Sequence, residues 1–215
     1  MKKIIIAAIF IASGILNAQE NKGVTKIEKG TWNFTTDLSL YNFDQSYDQI
    51  KNESSTFLFN ITPKLNYFID DNLSLGFGIG YNYRNIDNID NNQSLTTQNT
   101  NTFSFNSYIK KHYFIASNLS FFLQGEITYQ TGKIKNSFQN SSNTLTSDIN
   151  TFFIGIRPGV SYFLTNKIAI QAYFGSLGYT NDTIKNNSNS LKENQSRFNL
   201  NLNPSQLIFG LSYYW

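Results

Sequence analysis

One local pattern recurs four times along the chain: Tyr67-Phe68-Ile69, Tyr113-Phe114-Ile115, Tyr162-Phe163-Leu164 and, at the very end, Tyr213-Tyr214-Trp215. Each closes a run in which apolar and polar residues alternate. The leading tyrosines are 46, 49 and 51 residues apart. That interval is too long for one strand and fits two strands with two connections. Four such units predict an all-β fold: an eight-stranded antiparallel up-and-down transmembrane β-barrel with aromatic rims.

The N-terminus reads as a secretory signal. Lys2-Lys3 precede an apolar stretch from Ile4 to Leu16, and Ala18 offers a small residue for cleavage. The stretch is shorter than the roughly 18–20 residues a helical span needs. The expected organisation is a signal peptide over 1–18, a short periplasmic lead-in over 19–30, too short to be a plug, and an outer-membrane barrel over 31–215. Cleavage would leave fifteen basic against fourteen acidic residues. A near-neutral chain has no electrostatic claim on nucleic acid. The chain has no Cys, which excludes disulfides and thiolate metal sites. Charged residues make up 14%, against roughly 25% in ordinary soluble domains. No second apolar stretch could cross a membrane as a helix, so any crossing falls to strands.

Period two is clearest in the second and third strands. Phe57, Phe59, Ile61, Pro63, Leu65 and Tyr67 oppose Leu58, Asn60, Thr62, Lys64 and Asn66. Leu73, Leu75, Phe77, Ile79, Tyr81 and Tyr83 oppose Ser74, Gly76, Gly78, Gly80 and Asn82. The seventh strand starts at Ile168 and loses register around Gly175-Ser176. The eighth changes parity near Pro204-Ser205, which predicts a bulge, since proline cannot donate to a ladder. Short connections at Ile69–Asn72, Ile115–Asn118 and Leu164–Lys167 alternate with long polar ones over 44–54, 84–101, 131–148 and 180–195. In outer-membrane barrels short turns face the periplasm and long loops face outward.

Charge placement tests this register. A Lys or Arg on the lipid face near mid-bilayer costs roughly 2–4 kcal/mol. Within the strands every charge but one falls on the polar face. The exception, Lys111, lies two residues from Tyr113, where its stem can reach the interface. Tyr67, Tyr113, Tyr162, Tyr213 and Trp215 share the apolar parity at the short-turn end and form the expected aromatic girdle. Phe57, Tyr83, Phe103, Tyr129 and Phe152 would form the opposite one. The inward face holds Asp37, Lys64, Lys110, Glu126 and Arg157. Asp37 and Lys64 lie on neighbouring strands, as do Glu126 and Arg157, and buried opposite charges should pair. A structural network and a gate across a thin pore are both compatible with that set. With one His, no Cys and no acidic cluster, neither a metal site nor a cofactor is expected. Gly76, Gly78 and Gly80 alternate within a strand with no helix after them, so they relieve crowding rather than cradle phosphate.

The four tyrosine-aromatic rims, the segment Arg157-Pro158-Gly159-Val160-Ser161-Tyr162-Phe163 and the closing Gly210-Leu211-Ser212-Tyr213-Tyr214-Trp215 resemble the outer membrane protein β-barrel domain family, the small OmpA/OmpX-type barrels. The closing segment is similar to the signal read by the barrel assembly machinery, which favours a terminal aromatic, usually Phe; here it is Trp. The resemblance implies outer-membrane lipids and lipopolysaccharide as surroundings, the assembly machinery as a partner, and a monomer. It implies no single activity, because the fold serves anchors, adhesins, small channels and lipid-modifying enzymes. The expected role is non-enzymatic, in envelope integrity or surface contact through four loops, with a narrow channel as the alternative. Barrel enzymes that deacylate lipid A use a His with a Ser and a carboxylate near the outer rim. His112, the only histidine, lies instead beside a short turn and reads as a rim residue.

Overall fold

The computed structural model describes residues 23–47, 52–90, 94–139, 144–201 and 208–215. The expected signal segment and the bulge near Pro204-Ser205 lie outside the described residues. Ten strands form one antiparallel sheet: β1 (Trp32–Tyr47), β2 (Asn52–Asp70), β3 (Leu73–Ile89), β4 (Leu95–Ala116), β5 (Leu119–Phe138), β6 (Thr144–Phe163), β7 (Ile168–Tyr173), β8 (Ser176–Asn186), β9 (Lys192–Asn201) and β10 (Ile208–Tyr214). Pairings run in chain order from β1 to β6, then through β7 to β10, and β10 returns to β1. Farther from the short turns β6 pairs with β8, and β8 with β9. Among the described residues β9 has no pairing with β1.

Among the described residues the count is ten where eight are expected, and for the seventh strand the cause is local. Gly159 pairs with Tyr173, whereas Ile156 pairs with Leu177. Arg157 and Pro158 therefore face three residues, Phe174, Gly175 and Ser176. This is a bulge that cuts the seventh strand into β7 and β8. Gly175 takes φ +72°, a left-handed conformation that costs glycine little. Pro158 has no N–H to give there, and its carbonyl accepts from Phe174 N at 3.0 Å. The described residues of the expected eighth strand form β9 and β10. Outward parity changes between Leu200 and Phe209, which are 61% and 54% exposed.

A second correction concerns the long connections. The stretches expected as loops are mostly strand: β3 continues to Ile89, β4 begins at Leu95, and the other hairpins extend likewise. Cross-strand side chains hold these extensions together. Ser54 Oγ donates to Asn88 Oδ1 at 2.8 Å, Thr97 Oγ1 to Asp87 Oδ1 at 2.6 Å and Gln98 Nε2 to Asn136 Oδ1 at 2.9 Å. Such pairs stabilise a ladder that carries little apolar contrast. The 22 residues of β4 span about 70 Å along the strand, or about 55 Å along an axis tilted by about 40°, against an apolar band of about 25 Å. The hairpins therefore continue well beyond the lipid-facing belt.

That belt and the interior have exchanged the usual positions of polar and apolar groups. Phe77, Ile79, Phe103 and Leu211 are more than half exposed, while Thr35, Asn66, Ser120, Gln124, Ser161 and Gln171 are buried. A protein that meets water on its outside would reverse this distribution. Here the apolar outer face meets hydrocarbon and the paired ladders satisfy the backbone.

Candidate functional site

The recurring dipeptide builds two features at once, because its two aromatics have opposite parity. The first residue of each pair points outward. Tyr67, Tyr113, Tyr162 and Tyr213 are exposed, as is Trp215. Tyr213 and Trp215 stack with centroids 5.8 Å apart, and Trp32 joins the ring against Tyr67 at 4.9 Å. The second residue points inward. Phe68, Phe163 and Tyr214 are buried and Phe114 packs against them, with ring centroids 5.1 to 6.2 Å apart. These four aromatics fill the mouth at the short-turn end. The sequence reading used only the outward member of each pair; the inward parity of the other was the available signal.

Deeper layers are polar. His112 lies between Phe68 and Phe122, with centroids 6.1 and 5.4 Å away, and its Nδ1 is 3.0 Å from Ser120 Oγ. Both residues are buried, and no carboxylate partners the imidazole among the described residues. The ammonium of Lys110 has no carboxylate contact there either. It donates to Gln171 Oε1 and to the Tyr173 hydroxyl, both at 3.0 Å, and sits 4.6 Å from the Phe122 ring centroid. Aromatic faces and neutral oxygens can hold a desolvated cation, though less well than a carboxylate would.

Above Lys110 come two ion pairs. Lys64 Nζ is 2.5 Å from Asp37 Oδ2, and both side chains are about 5% exposed. Arg157 Nη2 donates to Glu126 Oε1 at 2.9 Å, and Gln124 Nε2 donates to Glu126 Oε2 at 2.5 Å. Lys64 also lies 5.1 Å from the ring centroids of both Tyr108 and Tyr173. The Tyr108 ring fits because Gly76 faces it: a Cβ there would collide with Tyr108 and Asn66. Lys64 thus reaches from β2 to rings on β4 and β7, and the Glu126–Arg157 pair, which bridges neighbouring β5 and β6, lines the same cavity. A small polar cavity of about 90 Å³ lies on its hairpin side, lined by Asn60, Thr62, Ser104, Thr128 and Gln130 among others. From the mouth to this floor, side chains occupy the interior, as expected for a circuit of this width.

The outward exception behaves as a rim residue. Lys111 turns its ammonium back to the carbonyl of Asp71, 2.9 Å away in the first short turn. Outside the strands, Lys26 of the lead-in pairs with Asp71 at 3.1 Å. The hydrogen bond from Lys26, followed by that from the Lys29 amide, holds the Asp71 carboxyl below its ordinary value.

An apolar exterior, an ion-paired interior and an aromatic ring at the short-turn end frame the comparison with known proteins. The outer membrane protein beta-barrel domain family matches residues 6–213. The chain belongs to that family. Its membership makes the outer membrane the location of the barrel. Among solved structures, OprG of Pseudomonas aeruginosa is 9% identical, covering 91% of this chain and 99% of that one at a TM-score of 0.50, a likeness of fold alone. A major outer membrane protein of Thermus thermophilus is also 9% identical, covering 87% and 100% at 0.48. Neisserial surface protein A is 14% identical, covering 86% and 99% at 0.43. No curated protein matches the chain.

Proposed function

We propose that this family member is a non-conducting outer-membrane barrel whose work is done by its strand hairpins outside the bilayer, in envelope integrity or surface contact. One observation carries the reading: Lys110 crosses the lumen to Gln171 and Tyr173, Lys64 of the Asp37 pair packs on Tyr108 and Tyr173, and the Glu126–Arg157 pair and an aromatic mouth fill the space around them. Moving an ion through the lumen would require breaking buried pairs, which costs about 3–5 kcal/mol each. The His112–Ser120 contact is enclosed on both sides and lacks a carboxylate, which argues against a role in hydrolysis. The hairpins, in contrast, present ordered polar ladders about as tall as the apolar belt itself. We orient them outward and the short turns toward the periplasm, and take the girdle to contact lipid and lipopolysaccharide.

The test has two arms. Refolded barrel in planar bilayers should give no discrete openings, and steady single-channel steps would contradict the reading. Cells carrying a barrel with each hairpin shortened by four to six residues beyond the belt should keep the protein in the membrane. They should differ from parent cells in surface attachment or detergent resistance. Unchanged phenotypes in both measurements would leave the hairpins without the proposed role.

A further inference from the structure

The lead-in does more than precede the first strand. Residues 23–30 pack against the short-turn mouth and cover part of it. Ile27 is 5% exposed and enters the cluster of Phe68, Phe163, Ala169 and Tyr214, with Val24 packed beside it.

Two turn asparagines read the backbone of this segment in the same manner. Ile27 N donates to Asn72 Oδ1 at 2.7 Å while Asn72 N donates to Ile27 O at 2.9 Å. Val24 N donates to Asn118 Oδ1 at 2.6 Å while Asn118 N donates to Val24 O at 2.8 Å. Both asparagines hold left-handed φ, 61° and 67°. Asparagine tolerates that conformation better than most residues, and it turns amide and carbonyl oxygen toward the same strand. The segment is bounded by two glycines for separate reasons. A Cβ on Gly23 would lie 2.6 Å from that of Ser117. Gly30, at φ +89°, closes a turn in which Thr31 N donates to Glu28 O at 3.3 Å.

These contacts describe a receptor: reciprocal backbone bonds at two points three residues apart, with an apolar socket for one side chain. Backbone pairing gives affinity to an extended peptide and a pocket gives it selectivity. The far side of the segment is not filled. A cleft of about 570 Å³ separates it from Asn166 of the third turn, with Phe163 and Tyr214 beneath. We propose that the short-turn mouth is a binding site for a short peptide segment whose backbone meets the two turn asparagines at positions three residues apart and whose apolar side chain at the second position fills the socket, and that Val24 to Ile27 of the chain's own lead-in is its resident ligand. The cleft is where a competing peptide would enter. This proposal is independent of what the outer hairpins contact.

The chain has no Cys, so Thr25→Cys gives a unique attachment point for a nitroxide on the full mature barrel, refolded in detergent. Thr25 is exposed and outside the socket. The label should be immobilised in the parent background and become mobile when Asn72→Ala and Asn118→Ala are combined. Heat-modifiable gel mobility would verify that the barrel still folds. Ile27→Ser provides the second route, since it weakens the resident ligand and leaves the socket intact. A fluorescent peptide Gly-Val-Thr-Lys-Ile-Glu-Lys-Gly should bind the Ile27→Ser barrel at least tenfold more tightly than the same peptide with Ser in the fifth place. A mobile label in the parent, an immobile one in the double variant, or equal affinity for the two peptides would each overturn the proposal.

Discussion

Replacing Glu126 with Gln should destabilise the folded barrel by about 3 kcal/mol, the lower end of the 3–5 kcal/mol seen when one partner of a buried pair is removed. The lower end is chosen because the partners are not equally enclosed: the Glu126 side chain is 4% exposed and that of Arg157 22%, open toward the small cavity. The substitution keeps the shape of the side chain and its contact to Gln124. What it removes is the charge that Arg157 Nη2 meets at 2.9 Å and Nε at 3.3 Å. Asp37, already paired with Lys64, would then be the one carboxylate left in this layer, and Arg157 would lose its partner. Urea unfolding in lipid vesicles, followed by tryptophan fluorescence and by gel mobility, gives the stability. The Arg157→Gln variant and the double variant complete a cycle. The double variant should recover at least half of the loss, because no uncompensated charge remains. A Glu126→Gln change below about 1 kcal/mol, the range of exposed ion pairs, would refute the view that this layer is dry and structural.

Lys110→Met keeps volume and removes a buried cation held by neutral groups, so it should be neutral or stabilising by up to about 2 kcal/mol in the same unfolding experiment; a loss above that would mean the ammonium is needed. Trimming the mouth with Phe163→Ala should cost about 3–5 kcal/mol, since the ring is buried against Phe114 and Tyr214; a loss below about 1 kcal/mol would show the cluster to be loosely packed. Asp71 sets a pH limit on the lead-in. Its carboxyl is held below the ordinary value of 3.8 by Lys26 and the Lys29 amide. Its contribution is therefore complete above that value and is lost as pH falls through the lowered one. The nitroxide at Thr25 should keep the same mobility from pH 8 to pH 5 and loosen only in stronger acid. Loosening that began near pH 6 would assign the effect to another group.

The belt region of the fold was legible because two solvents divide each strand. Lipid on one face and a polar interior on the other impose alternation, and Phe77, Ile79 and Leu211 emerged on the correct side. The break in the seventh strand was legible as lost register at Gly175, though not as a change in strand count. The hairpin extensions were not legible. Beyond the bilayer both faces of a strand meet water, so Thr96, Thr97, Gln98 and Asn99 show no alternation and resemble a loop. Their order comes from ladder bonds and side-chain pairs that depend on register, as between Gln98 and Asn136. The lead-in escaped for a related reason. A single contact pair, Val24 and Ile27, carries no repeat, and its partners Asn72 and Asn118 look like ordinary turn residues until the barrel brings them beneath one segment. The interior charges could be assigned to a face from parity alone, but their spacing across the lumen, with Lys110 on Gln171 and Tyr173 rather than on a carboxylate, required the strand stagger.

The account rests on which face of the sheet meets hydrocarbon. Nitroxides at Phe77→Cys and Leu123→Cys, compared with one at Asn66→Cys in the refolded barrel in lipid vesicles, measure this directly through collision with oxygen and with a water-soluble nickel chelate. Labels at 77 and 123 should relax strongly with oxygen and weakly with nickel, and the label at 66 should be shielded from both. Shielding of 77 and 123 from oxygen, with exposure of 66 to it, would contradict the assignment of the apolar face to the membrane.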